Sequence, residues 1–209
     1  MESTSLAEQD RILASDWGGG KSPFGTSWSK FMMWIFIVSD ALTFAGFLIA
    51  YGFMRQIAEK WPDQMHDVFS PVLITFMTFV LISSSAVMAM AVSAAKAHNP
   101  KAAVKFIALT VLGGAIFLGC QVYEWYHMIV IEHATLTNNI WGVPQFSASF
   151  FVITGFHGFH VLTGLTILAI VGLRGALGKY SADSVENAGL YWHFVDVVWV
   201  FVFAFFYLM

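Results

Sequence analysis

Charge is what this chain has least of. Lys, Arg, Asp and Glu together make up 11% of its 209 residues, less than half the ~25% usual for soluble domains. A surface that poor in charge cannot be a water-facing one over most of its area. Cysteine is almost absent too. The single Cys120 excludes an internal disulfide and any zinc site built on cysteines, and is expected to act as a small apolar packing residue. Net charge is only -3, with no basic patch of the kind that binds nucleic acid. No internal repeat and no second domain are visible.

What is abundant is apolar and aromatic. Hydrophobic residues are 58% of the chain and aromatic ones 17%, with 21 Phe and 8 Trp. Five apolar stretches reach the ~20 residues that a helix needs to cross a bilayer. They fall at about 31–54, 70–95, 104–131, 147–172 and 188–209. The sequence therefore predicts an all-α protein, an integral membrane bundle of five transmembrane helices. The first stretch is too late and too long for a cleavable signal peptide, and residues 1–30 lack the basic start and early apolar core of one. That segment, with Gly18-Gly19-Gly20 and Ser22-Pro23, is expected to be a polar, flexible arm. His98-Asn99-Pro100 breaks the chain between the second and third spans, and Asn138-Asn139 with Pro144 breaks it before the fourth. Trp141, in a loop without Lys or Arg, suits a membrane interface.

The few positive charges set an orientation. Arg11, Lys21, Lys30, Lys96, Lys101, Lys105, Arg174 and Lys179 fall on one side of the five-span map, and only Arg55 and Lys60 on the other. The bias places the N-terminus inside and the C-terminus outside.

The ionisable residues within the spans are the candidates for a site: Asp40, Glu124, His127, His157, His160, His193 and Asp196, with Glu132 and His133 towards the end of the third span. An ionisable group at membrane depth costs ~2.5–3.5 kcal/mol on insertion scales unless it is paired or hydrated. Asp40 reads as a structural hydrogen-bonder or as a carboxyl that binds or relays protons, and sequence alone does not separate the two. Glu124-x-x-His127 has the spacing of di-iron bundles. His157-x-x-His160 and His193-x-x-Asp196 add two more pairs, each on one helix face.

Depth argues against one metal centre. At 1.5 Å per residue, His193 and Asp196 fall roughly 8–12 Å from the start of the predicted fifth span, Asp40 at about 14 Å, His160 at about 18 Å and Glu124 near about 30 Å. A di-metal site needs its ligands around ions only ~4 Å apart. The expected role is instead a set of hydrogen bonds joining spans one, three, four and five, worth ~0.6–2 kcal/mol each. Glycines and alanines nearby (Gly155, Gly158, Gly164, Gly113, Gly114, Gly119, and Gly46 with Ala50) are expected to let the backbones approach closely. On this reading the site residues are structural, and none is catalytic or a metal ligand.

Several of these motifs occur together in a known family. Ser39-Asp40 in an aromatic first span, Tyr123-Glu124, Thr154-Gly155-Phe156-His157-Gly158-Phe159-His160-Val161 and Tyr191-Trp192-His193-Phe194-Val195-Asp196-Val197-Val198-Trp199 are similar to subunit III of the haem–copper terminal oxidases. The resemblance runs from about Trp34 to Leu208, and five spans match the short bacterial form. It implies a non-catalytic accessory subunit of a proton-pumping respiratory complex that reduces oxygen to water. In that family the chain carries no haem or copper, which reside in partner subunits. It packs against subunit I, holds phospholipids in grooves and helps sustain proton uptake. The implied location is the bacterial inner membrane. Many relatives have a glutamate, treated as a reactive buried carboxyl, where this chain has the shorter Asp40. The long form has two further N-terminal helices; without them the lipid cleft they enclose cannot form, and lipid contacts are expected elsewhere.

Two readings of other classes stand beside this one. The first is a membrane di-metal oxidase or desaturase using Glu124, His127 and the histidines of the fourth and fifth spans. The second is a small transporter or channel with Asp40 and Asp196 as proton sites, though the paired broken helices of repeat-built transporters are not evident.

Overall fold

A computed structural model describes residues 27–62 and 68–208. The described residues form five long helices and no strands: α1 (Trp28–Ile57), α2 (Pro71–Lys96), α3 (Pro100–Tyr126), α4 (Pro144–Ala176) and α5 (Ala182–Val202). Single π-helical segments extend α3 through His127–Ile131 and α5 through Phe203–Leu208. All five helices are long and apolar enough to cross a membrane. The expected arm over residues 1–30 falls outside the described residues apart from its last four, of which 28–30 already belong to α1.

Local chemistry explains most of the helix ends. Proline opens α2, α3 and α4, where its missing N–H costs nothing and its fixed φ suits the first turn. Ser27, Asn99 and Ser181 cap α1, α3 and α5, each accepting a hydrogen bond from a first-turn N–H. At the end of α2 the chain reverses through His98, whose φ is +54°. The Asn99 N–H then donates back to Ala94 O at 3.0 Å, the closure usually built on a left-handed glycine. Gly178, at φ +77°, performs the same reversal after α4, with Lys179 N–H donating to Arg174 O at 2.9 Å.

All but α2 begin three to six residues ahead of the apolar stretches, because caps and prolines, not hydrophobicity, set where they start. The difference matters most for α5, which starts at Ala182, six residues before the predicted start at 188. The polar turn Ala182–Asn187 is helical because its residues are held from outside. Glu186 takes Lys30 at 2.8 Å and Lys96 at 3.1 Å, and Asn187 donates to Ser29 Oγ at 2.8 Å. These contacts fasten the near rim, where α1 and α5 begin and α2 ends.

α2, α3, α4 and α5 close into a ring of neighbours, and α1 lies outside it against α4 and α5. α1 is accordingly the least buried helix and α5 the most buried. Trp192 and Trp199 fill the centre of the ring, both fully buried. Space for Trp192 comes from glycine: a Cβ on Gly114 would stand 2.4 Å from its Cη2, and one on Gly164 3.1 Å from its ring. Gly113, Gly155, Gly158 and Gly189 are likewise in tight contact with a neighbouring helix. Gly46 and Gly119 face open space, so the close approach expected of them does not occur.

The far rim is closed by aromatic rings. Tyr51 and Phe206 stand 4.6 Å apart, Phe69 and Tyr207 4.9 Å, and Phe146 stacks on Phe206 at 5.7 Å. Trp141 joins this layer edge-on to Phe146 at 5.6 Å. The π-helical turn at the end of α5 lets the consecutive Phe206 and Tyr207 both point inward.

Candidate functional site: polar contacts between the helices

With α5 beginning at Ala182, His193 and Asp196 lie about 16 and 21 Å along it, not 8–12 Å. They sit in the middle of the bundle, close to the level of Asp40 and His160. Depth alone therefore does not keep these four residues apart, as the sequence map suggested. Their direction around the helices does. Asp40 and His160 meet at the seam of α1 and α4, while His193 and Asp196 face α2, with Tyr191, Trp192 and Val195 between the two groups.

At the α1–α4 seam, His160 Nδ1 donates to Phe156 O, one turn back on its own helix, at 2.8 Å. A carbonyl can only accept, so that nitrogen carries a proton. The other ring nitrogen, Nε2, stands 3.2 Å from Asp40 Oδ2. Among the described residues Oδ2 has no well-aligned hydrogen bond, so the contact is a close approach of two groups. Tyr191 OH donates to His160 O at 3.2 Å, and Phe44 packs edge-on to the imidazole at 5.5 Å. Both Asp40 and His160 are buried.

His157 is a separate device. It is fully buried against Phe117 and Trp199, and its Nε2–H donates to Val195 O at 3.2 Å. Its Nδ1 has no partner among the described residues. One turn earlier, Gln121 Nε2 donates to Thr154 O at 2.6 Å and Trp125 Nε1 donates to Thr154 Oγ1 at 3.1 Å. These bonds join α3, α4 and α5.

α2, which the sequence reading left out of the polar network, supplies three hydroxyls to it. Ser85 Oγ lies 2.6 Å from His193 Nδ1. Ser84 Oγ accepts from Trp192 Nε1 at 3.2 Å, and Thr78 Oγ1 accepts from Trp199 Nε1 at 3.0 Å. Sequence inspection passed over these residues because serines and threonines carry no charge and the tryptophans read as apolar. The signal was present in their spacing: Thr78, Ser85 and Trp192, Trp199 each stand seven apart, two helical turns on one face.

Glu124 lies at the opposite end from the His193 group, about 36 Å along α3. It is buried, and Tyr207 OH donates to its Oε2 at 3.1 Å, while Oε1 has no partner among the described residues. Half-buried His127 stands at the first π-helical position beyond it. Glu124, His157, His160 and His193, four of the five side chains of the di-metal reading, thus engage four different partners. Among the described residues no three His, Cys, Asp or Glu side chains gather into a set that could hold a metal ion. Cys120 is free and half-buried, one turn before Glu124. Chemically, the arrangement ties helices to one another by hydrogen bonds and by the close carboxyl–imidazole approach of Asp40 and His160.

Comparison with known proteins gives a coherent result. The family model described as cytochrome c oxidase subunit III matches residues 3–209. The chain is 36% identical over 181 residues to cytochrome c oxidase subunit 3 of Thermostichus vulcanus, covering 84% of each protein. It is 32% identical over 185 residues to that of Alkalihalophilus pseudofirmus, covering 87% of each. The plant protein from Arabidopsis thaliana is 37% identical over 178 residues, which span 81% of this chain and 64% of that longer relative. A match over nearly the whole chain, on an all-helical bundle with five membrane-spanning helices, shows that this chain belongs to the cytochrome c oxidase subunit III family.

Proposed function

We propose that this chain is the non-catalytic accessory subunit of a haem–copper oxidase in a bacterial inner membrane. It stabilises subunit I, holds lipid and helps sustain proton uptake, while haem and copper belong to its partners. The observation that carries the reading is the fate of the intramembrane polar groups. Asp40 with His160, His157 with Val195 O, Ser85 with His193, and Glu124 with Tyr207 all link one helix to another. Their chemistry is spent on holding the bundle together, as suits a scaffold. The positive-inside bias orients the near rim, with Lys30, Lys96, Lys101 and Arg174, towards the cytoplasm.

A groove of about 940 Å³ between α1 and α5 supports the lipid part of the proposal. Ala41, Ala45 and Phe44 of α1 and Phe194, Phe201 and Phe205 of α5 line it, and Arg55 with Gln56 stand at its far end. An acyl chain fits the apolar length, and Arg55 offers a charge to a headgroup phosphate at the membrane surface.

Purification from native membranes in mild detergent tests the function. A tagged chain should bring down a subunit that shows a haem spectrum, while the separated chain is free of stoichiometric metal. Iron retained on the chain itself, without a haem partner, would overturn the proposal and revive the reading built on Glu124 and His127.

A further inference from the structure

Among the described residues, Glu124 is the one carboxyl near the far rim that the folded chain encloses, with 4% of its surface exposed. It stands just before the π-helical segment that begins at His127. Its two oxygens have different surroundings. Tyr207 OH donates to Oε2 at 3.1 Å, while Oε1 meets no donor among the described residues. A phenol has one proton to give, so Tyr207 cannot serve both. The phenol is set in an apolar wall, its ring 4.9 Å from Phe69 and 5.9 Å from Trp199. Met128, one turn further along α3, is fully buried as well.

A carboxylate enclosed in this way needs a positive charge, and the described residues bring none to it. Their ion pairs join Lys30 and Lys96 to Glu186 and bring His160 to Asp40. α2 has no titratable side chain before Lys96 at the near rim, and α4 has only His157 and His160 before Arg174. His157 is engaged with Val195 O, and His160 faces α1. Arg55 and Lys60 belong to α1 and the turn after it, outside the ring that contains α3. On α3 itself the neighbours are the Cys120 thiol, one turn back, and His127, three residues on, which makes no ion pair with Glu124. An unpaired carboxylate in hydrocarbon is far costlier than an unpaired hydroxyl, and a carboxyl so placed keeps its proton instead.

We propose that Glu124 is a proton-binding site, a neutral carboxylic acid at neutral pH with its proton on Oε1. Oε2 is then the carbonyl oxygen that accepts from Tyr207. A neutral acid has one hydroxyl and one carbonyl oxygen, which matches one oxygen bonded to the phenol and the other left over. Asp40, with an imidazole beside it, is a different case. The inference goes beyond the accessory-subunit reading and does not depend on it.

Infrared spectroscopy of the full-length chain in an alkyl maltoside, a detergent with no carbonyl group, tests it. At neutral pH the wild type should show the C=O stretch of a protonated carboxyl, displaced downward in heavy water and lost in Glu124→Gln. Tyr207→Phe should keep this band and move it to higher wavenumber, because the carbonyl loses its donor. Wild-type and Glu124→Gln spectra that differ by carboxylate stretches instead would overturn the proposal. So would a band that Tyr207→Phe leaves in place, since Oε2 would then not be the carbonyl. Should Glu124→Gln fail to fold, wild-type chain labelled with carbon-13 at the glutamate side-chain carboxyls gives the same reading. A component of the acid band should then move to lower wavenumber, and a band with no displaced component would overturn the proposal.

Discussion

Asp40 Oδ2 on α1 lies 3.2 Å from His160 Nε2 on α4, and this contact joins the outlying helix to the ring of four. α1 has few other polar ties: at the near rim Lys30 reaches Glu186 and Ser29 receives Asn187, both from α5. Within the membrane the carboxyl–imidazole pair holds α1 at a fixed rotation, turning Phe44 into the core and leaving Leu42 and Ile49 outside.

Removing one member of that pair should cost more than removing both. Asp40→Ala leaves His160 Nε2 buried without a partner, a loss of ~1–3 kcal/mol. Asp40→Asn should cost less, because a carboxamide still bonds to the ring. Thermal unfolding of the single variants and the Asp40→Ala, His160→Phe double variant gives the coupling energy; strictly additive losses would mean that the pair does not interact.

Gly114→Ala should destabilise by ~1–3 kcal/mol, the range for overpacking a filled core. Its Cβ would fall 2.4 Å from Trp192 Cη2 and 2.7 Å from Leu165 Cδ2. Gly119→Ala, one and a half turns along the same helix, meets nothing within 4 Å and should be neutral or stabilising by up to ~1 kcal/mol. Heat resistance of the two variants in detergent distinguishes a close-packed glycine from a permissive one.

His98→Gly should stabilise the α2–α3 reversal. A non-glycine residue at φ +54° carries roughly 1–2 kcal/mol of strain, partly offset by the greater freedom glycine has when unfolded. The expected net gain is ~0.5–1 kcal/mol, read as a higher unfolding midpoint. A drop in the midpoint would show that the His98 side chain contributes something its backbone conformation does not reveal.

Tyr207→Phe should leave both Glu124 oxygens without a partner and cost ~1–3 kcal/mol. The same change in a Glu124→Leu background should cost much less, since no buried carboxyl then remains to be satisfied. If Tyr207→Phe costs as much in that background, the hydroxyl stabilises the bundle through something other than its bond to Glu124.

Five membrane-spanning helices were legible because the physical signal is long and redundant: some twenty consecutive apolar residues mark a span whatever its neighbours do. The polar residues inside those spans were legible for a related reason, since at membrane depth each is costly enough to stand out. Family membership followed from the order of the motifs around His157, His160, His193 and Asp196, which the match over residues 3–209 shows to be that of cytochrome c oxidase subunit III. The start of α5 was hidden because the turn before Ala188 is polar, and Lys30 and Lys96 hold it from other helices.

Partners were the part only the folded chain decided. His193 and Asp196 stand three apart and share a face by helical period alone, but the hydroxyl that meets His193 comes from Ser85, 108 residues away. Trp199 finds Thr78 from 121 residues away, and Glu124 finds Tyr207 from 83. Periodicity gives the direction of a side chain relative to its own helix axis. Which helix lies in that direction, at what height and rotation, follows from how the large rings of Trp192 and Trp199 and the gaps at Gly114 and Gly164 pack together, and that is a property of the bundle as a whole.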